Sequence, residues 1–340
     1  MSTTRKRLPR VLLAMDPALT REMLSPHWLL QLQTVASPIA HDPVTTFDDE
    51  DMGAMLQEAE LLLTGWGCPA ITPTVLAAAP RLQAIVHAGG SVKAHVGKPC
   101  FERGIQVSSA AAANAIPVAE FTLAAILWAN KRVLQIARDY ARASVPLDWE
   151  ARYPDLGNYR KTVGIVGASR IGSRVLSLLK PFDLELLVYD PYLSEEGARK
   201  LGARKVALDE LCAESDIVSL HAPAIEQTHH LISGKQLDLM KDGATLINTA
   251  RQALVDVQAL EAHLESGRLY AIIDCTQPFQ LPPDARARSL PNVLFTPHIA
   301  GSLGAEKARM MAAAIDEVGR FARGEPFAHP VTLQDLEHSA

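Results

Sequence analysis

Three hundred and forty residues, at roughly 150 per domain, imply two domains. With 48% hydrophobic and 21% charged residues the chain has the balance of a globular protein with large cores, which excludes disordered and fibrous classes. A formal charge of −5 offers no broad attraction to phosphate backbones or anionic lipid, so a small-molecule partner is expected, with no nucleic acid and no membrane.

Residues 1–10 are basic, but the apolar stretch that follows, 11–15, stops at Asp16-Pro17 and is too short for the core of a signal peptide. Short apolar runs then recur between helical stretches. The candidate strands of the first part are 10–16, 61–64, 82–87 and 106–109. Pro117 reads as the opening of a helix over 118–132, with Glu120 in its first turn and Lys131-Arg132 at its end. The mostly apolar part of that segment, 121–129, is about half of what a bilayer requires, so no spanning helix is expected. Residues 144–160 carry Pro146, Pro154, Gly157 and several aromatics without a period, which reads as an arm or long loop.

Six further strands follow, at 162–167, 185–189, 216–220, 244–249, 270–275 and 293–296. They suffice for a complete doubly wound nucleotide-binding sheet. Residues 305–322 form an amphipathic helix able to return the chain to the first domain. Cys68, Cys100, Cys212 and Cys275 lie far apart, without the spacing of a metal cage or dithiol, so reduced thiols, a cytoplasmic protein and no metal are expected.

The chemistry concentrates in the second part. Thr162-Val-Gly-Ile-Val-Gly167-Ala-Ser-Arg-Ile-Gly172 places a strand, a tight turn and a helix start in sequence, and a second strand ends in Asp190. A dinucleotide site needs that order: Gly167 for the turn, Gly172 for close helix packing, helix amides for the pyrophosphate and an acid for the adenosine ribose. The acid repels a 2′-phosphate, which favours NAD over NADP. The middle glycine of the pattern is replaced by Ser169, whose Cβ crowds the pyrophosphate path and whose hydroxyl can donate to phosphate. His221, Arg251, Asp274 and His298 each close a strand, so in a parallel sheet they share the edge that carries the turn. An arginine there can clamp a carboxylate in two-pronged fashion, and a histidine can exchange the proton that accompanies hydride transfer. His87, His95, His229, His230 and His263 read as structural.

Gly164 to Gly172, Tyr189-Asp190-Pro191, His221-Ala-Pro223, Ile247-Asn-Thr-Ala-Arg251, Ile273-Asp274 and Thr296-Pro-His-Ile-Ala-Gly301 stand in the order and spacing of the D-isomer-specific 2-hydroxyacid dehydrogenases, which the chain resembles over nearly its whole length. The resemblance implies an α/β protein of two doubly wound parallel-sheet domains. A Rossmann NAD domain, 117–301, is inserted into a flavodoxin-like substrate domain, 1–116 plus 302–340, with the active site in the cleft and a homodimer formed through the NAD domains. It further implies that Arg251 binds the carboxylate and carbonyl of a small 2-oxo acid and that His298 gives the proton. Gly167, Ser169, Arg170, Ile171, Gly172, Asp190, His221, Ala222, Pro223, Thr228, Thr249, Ala250, Asp274, His298 and Gly301 would line the cofactor.

The turn Ala88-Gly89-Gly90-Ser91-Val92 resembles the family's carboxylate-binding loop, with amides of Gly90, Ser91 and Val92 on the substrate. Lys93 beside it reads as a solvated surface cation or as an extra charge near the substrate. The Thr64-Gly-Trp66-Gly-Cys68-Pro69 turn reads equally as pocket lining or as a packed loop. The family places a glutamate five residues beyond the aspartate, paired with the histidine; here that position is Phe279, with Gln277 or Gln280 as substitutes for orienting the ring. A second reading is therefore a protein that senses NAD or NADH and binds partners on a catalytically weakened fold.

Overall fold

The structure is a computed structural model and describes residues 7–49 and 51–338. Residues 7–114 with 302–338 form one compact unit and 115–301 the other. Residues 1–6 of the basic opening lie outside the described residues.

In the first unit, β1 (Arg10–Ala14), β2 (Ser37–Pro38), β3 (Leu61–Thr64), β4 (Ala84–His87) and β5 (Gln106–Ser109) pair in parallel in the order β5-β4-β3-β1-β2. The central runs 11–14, 61–63 and 84–86 are apolar at successive positions because both faces of the sheet are covered. Val11, Leu13, Leu61, Leu63 and Val86 face one core with Met310, Met311 and Val318, whereas Leu12, Leu62 and Ile85 face another with Met52, Leu56, Val75 and Leu76.

The second unit holds β6 (Thr162–Val166), β7 (Glu185–Tyr189), β8 (Arg204–Lys205), β9 (Ile217–Leu220), β10 (Thr245–Asn248), β11 (Tyr270–Ile273) and β12 (Val293–Phe295), in the order β12-β11-β10-β9-β6-β7-β8 and parallel throughout. The order reverses direction between β6 and β9, which makes their carboxyl ends the switch point where ligands bind in open α/β sheets. The chain then re-enters the first unit through the Lys307–Arg323 helix, and β13 (Pro330–Val331) adds antiparallel to β5.

Two expectations are corrected. The bridging helix runs Ala111–Asn130, starting six residues before Pro117 and containing it, because an alanine-rich first turn outweighs one lost hydrogen bond. At 20 residues it is long and apolar enough to cross a bilayer, unlike the 121–129 stretch alone; Ala119, Ala125, Ile126 and Ala129 pack into the core with Val163, Ile165 and Leu176. After it comes a regular helix, Val133–Arg142, none of whose residues is buried, and within the 144–160 stretch read as an arm or long loop stands a short helix, Trp149–Arg152, capped by Asp148.

At the carboxyl edge of the first sheet, Thr64 Oγ1 lies 3.0 Å from His87 Nδ1 and 3.1 Å from His95 Nε2. Both rings are buried, which pushes them down to about 3 and about 4, so they are neutral at pH 7. Below about pH 6.5 the unfolded chain takes up these protons and the folded chain does not. The stability present above that pH is lost as the pH falls, by ~1.4 kcal/mol per pH unit for each ring. Denaturant unfolding should therefore show a midpoint that drops steeply from about pH 6.5 to about pH 4. His87→Gln should flatten the decline, and an unchanged slope in that variant would contradict the assignment.

Candidate active site

Gly167 leaves β6 with φ +94°, and its N–H donates to the Tyr189 carbonyl at 2.8 Å. A Cβ there would fall 2.6 Å from the Ala222 nitrogen, and one at Gly172 would fall 1.9 Å from the Gly167 carbonyl oxygen. Neither position has room for a side chain, so the turn lies close against both the helix and the end of β9. The helix it opens, Arg170–Leu179, is ten residues long, and the N–H groups of its first turn, at Arg170, Ile171 and Gly172, have no intrahelical acceptor.

Ser169 stands at the cap of that helix, and its hydroxyl donates to the His221 carbonyl at 2.9 Å, tying the turn to the end of β9. His221 itself is buried and pushed down to about 3 by desolvation, with Nε2 2.9 Å from Ser219 Oγ; its backbone and that of Ala222 lie against Gly167. Thr228 accepts from the Ile225 amide at 3.0 Å and donates to the Pro223 carbonyl, so its hydroxyl shapes the loop after β9.

Asp190 stands at the end of β7. Its two oxygens accept from the amides of Ala168 and Tyr192, each at 2.8 Å. The carboxylate is thus held beside the turn with lone pairs left for ribose hydroxyls. NAD(H) should bind tighter than NADP(H), and Asp190→Ser should narrow that preference by about tenfold or more, since a hydrogen bond to a charged group contributes ~1.5–3 kcal/mol. Titration of both cofactors by protein fluorescence checks this; equal affinities in the unmodified chain would overturn it.

Two buried residues, Asn248 and Asp274, fix the backbone that carries Arg251 and His298. Asn248, passed over as part of a strand, accepts from the Ala250 amide at 3.0 Å and donates through Nδ2 to the Arg251 carbonyl at 2.8 Å. It fixes the backbone from which Arg251 projects, exposed, with one guanidinium nitrogen on the Ala250 carbonyl at 2.7 Å. Asp274 Oδ1 accepts from Thr296 Oγ1 at 2.6 Å and the Ile299 amide at 2.8 Å, its Oδ2 from the Ala300 amide at 3.0 Å, and its carbonyl from the His298 amide at 3.0 Å. The carboxylate thereby ties down the loop that carries His298. That network holds His298 at φ +58°, a left-handed conformation rare outside glycine.

The His298 ring is half-buried and stacked on Phe279, with centroids 5.0 Å apart and planes at 15°. Its pKa lies below the ordinary histidine value: burial is the main cause, the Arg251 guanidinium adds to it, and the Asp274 carboxylate opposes it. Neither Gln277 nor Gln280 takes the place of a carboxylate at the ring. The Gln277 amide donates to Gln252 Oε1, and among the described residues no side-chain oxygen accepts from the imidazole. Thr249 is buried with its hydroxyl 3.4 Å from that of Thr122, while Ala250 and Gly301 are partly exposed.

Gly90, Ser91 and Val92 belong to the first unit. Val92 is anchored in its core, Ser91 Oγ accepts from the Lys93 amide at 3.5 Å, and a Cβ at Gly90 would meet Asn114 Nδ2 at 3.4 Å. Asn114 Oδ1 in turn accepts from the Ser302 amide at 3.0 Å, joining the two crossing segments, a link the sequence does not announce. Lys93 is exposed. Thr64 is buried on its two histidines, so at that residue the turn is packed loop. Among the described residues no group of three or more His, Cys, Asp or Glu is placed to hold a metal.

Sheet order, a glycine cradle, free helix amides and an acid at the second strand together define a dinucleotide-binding unit of the doubly wound type. Residues 123–300 match the family model described as D-isomer specific 2-hydroxyacid dehydrogenase, NAD binding domain. The chain belongs to the D-isomer specific 2-hydroxyacid dehydrogenase family, and this segment is its NAD-binding domain. A D-3-phosphoglycerate dehydrogenase of Methanocaldococcus jannaschii is 31% identical over 296 residues, covering 86% of this chain and 55% of that protein. A glyoxylate reductase of Korarchaeum cryptofilum is 34% identical over 259 residues, covering 75% and 77%. The crystal structure of a D-lactate dehydrogenase from Aquifex aeolicus complexed with NAD and lactic acid is similar at TM-score 0.69 and 28% identity, covering 93% of this chain and 96% of that one. The chain spans about half the length of the phosphoglycerate dehydrogenases it matches.

Proposed function

We propose that the chain is an NAD-dependent oxidoreductase that interconverts a small 2-oxo acid and the D-isomer of the 2-hydroxy acid. The observation that carries this reading is the placement of Arg251 and His298 by two buried anchors, Asn248 and Asp274, at the carboxyl edge of the same sheet that presents the Gly167 turn. NADH, held by the turn, the first amides of the Arg170–Leu179 helix and Asp190, supplies the hydride when bound. Arg251 grips the substrate carboxylate with two parallel N–H donors. His298 passes the proton to the ketone oxygen, or takes it from the hydroxyl in the reverse direction.

We also read the protein as a cytoplasmic homodimer joined through its NAD domains. Dispersed free cysteines favour the first, and the exposed Trp128, Tyr140 and Val145 on and after the bridging helices favour the second. The sensor reading gains no support, since the relatives above are named as dehydrogenase and reductase. The test is NADH consumption with glyoxylate, hydroxypyruvate, pyruvate and bulkier 2-oxo acids. Turnover of one or more supports the proposal, and inertness toward all of them overturns it.

A further inference from the structure

The surroundings of His298 suit a different electrophile better than a ketone. One face of the imidazole is covered by the Phe279 ring. The charged groups that act on it are Asp274, whose oxygens are taken by Thr296, Ile299 and Ala300, and Arg251, whose positive charge opposes an imidazolium. With burial added, the ring at neutral pH is chiefly the neutral form, which offers a lone pair. A ketone oxygen that receives hydride must also receive a proton, so it calls for a donor. The C=N group of a 2-imino acid is basic enough to be protonated in neutral water. It arrives with its proton and presents an N–H that a neutral imidazole can accept.

We propose that this site also reduces 2-iminium acids, formed in solution from a 2-oxo acid and ammonia or a primary amine, to 2-amino acids. The proposal rests on the reading of Arg251 and His298 above, because the carboxylate clamp is common to both substrates. The step is balanced without an enzymic acid. C2 accepts a hydride from NADH, which leaves as NAD, and the C=N π pair moves onto nitrogen. The positive charge on nitrogen is thereby neutralised, and the amine product takes its further proton from water.

The experiment supplies the purified protein with NADH and a 2-oxo acid that it consumes, or pyruvate and glyoxylate if none is known, with and without methylamine at about pH 8. Products are identified by mass spectrometry. At fixed 2-oxo acid, NADH oxidation should rise with methylamine by about tenfold or more, and the N-methyl 2-amino acid should appear, since a ketone forgoes most of the ~10²–10⁴ that a good general acid supplies. Phe279→Glu, at an exposed position, should shift the ratio of imine to ketone turnover toward the ketone by about tenfold. Hydroxy acid as sole product at a rate indifferent to methylamine would overturn the proposal and leave the reading above intact. Inertness in both mixtures would overturn both. A ratio unmoved in Phe279→Glu would overturn the role given to the neutral ring.

Discussion

Arg251→Lys should lower kcat/KM for 2-oxo acid reduction by roughly 10- to 150-fold while NAD(H) affinity stays within about twofold. An ammonium carries the same charge but cannot reproduce the planar fork, so about one charge-assisted hydrogen bond, ~1.5–3 kcal/mol, is lost. Stability should hardly change, because the side chain is exposed and donates to the adjacent Ala250 carbonyl. Steady-state kinetics beside a cofactor titration separates the effects. A variant with near-normal kcat/KM would make Arg251 a surface residue and remove the carboxylate clamp from the account.

Phe279→Glu should raise reduction of 2-oxo acids near neutrality by about tenfold and move the pH profile upward. On the role proposed for His298, the donating form is the imidazolium, whose pKa lies below about 6.5 because burial and Arg251 disfavour the charge. Reduction should therefore fall as pH rises through that lowered value. Oxidation of the hydroxy acid uses the neutral ring as base and should persist to lower pH than an ordinary histidine would allow. A carboxylate beside the ring favours the charged form by 1 unit or more, roughly tenfold in the protonated fraction at a pH above both values. The measurement is kcat/KM against pH in both directions for both proteins. A native profile flat through about pH 8 with no shift in the variant would mean that the ring is not the donor.

The parts of the molecule that could be read from sequence are those set by local pattern. Ten strands were visible because runs such as Leu61-Leu62-Leu63 are apolar on both faces, and the cofactor turn because Gly167 and Gly172 stand where no Cβ fits. The strands β2, β8 and β13 were not visible: each has two residues, too few to carry a period, and each is placed by a neighbouring strand. At the site, residue identities were legible and their duties were not. Asp274 and Ser169 bind neighbouring loops through the Thr296 hydroxyl and the backbone of Ile299, Ala300 and His221, and no sequence pattern reveals which partner a carboxylate or hydroxyl will find. The histidine pair around Thr64 is likewise a product of three segments meeting at one sheet edge. Phe279 was legible as a departure from the family pattern, but its stacking on His298 depends on how the loop after β11 folds back.

The central claim is that this chain moves a hydride between a nicotinamide and C2 of a 2-oxo acid with D stereochemistry. It is tested most directly by supplying NADH deuterated at C4 of the nicotinamide, in separate pro-R and pro-S forms, together with each 2-oxo acid of the panel. The product acid is then resolved by chiral chromatography with mass detection. The account predicts that one of the two labelled forms delivers its deuterium to C2 and that the labelled product is the D-hydroxy acid alone. Unlabelled product, an L or racemic product, or no product from any 2-oxo acid would contradict it.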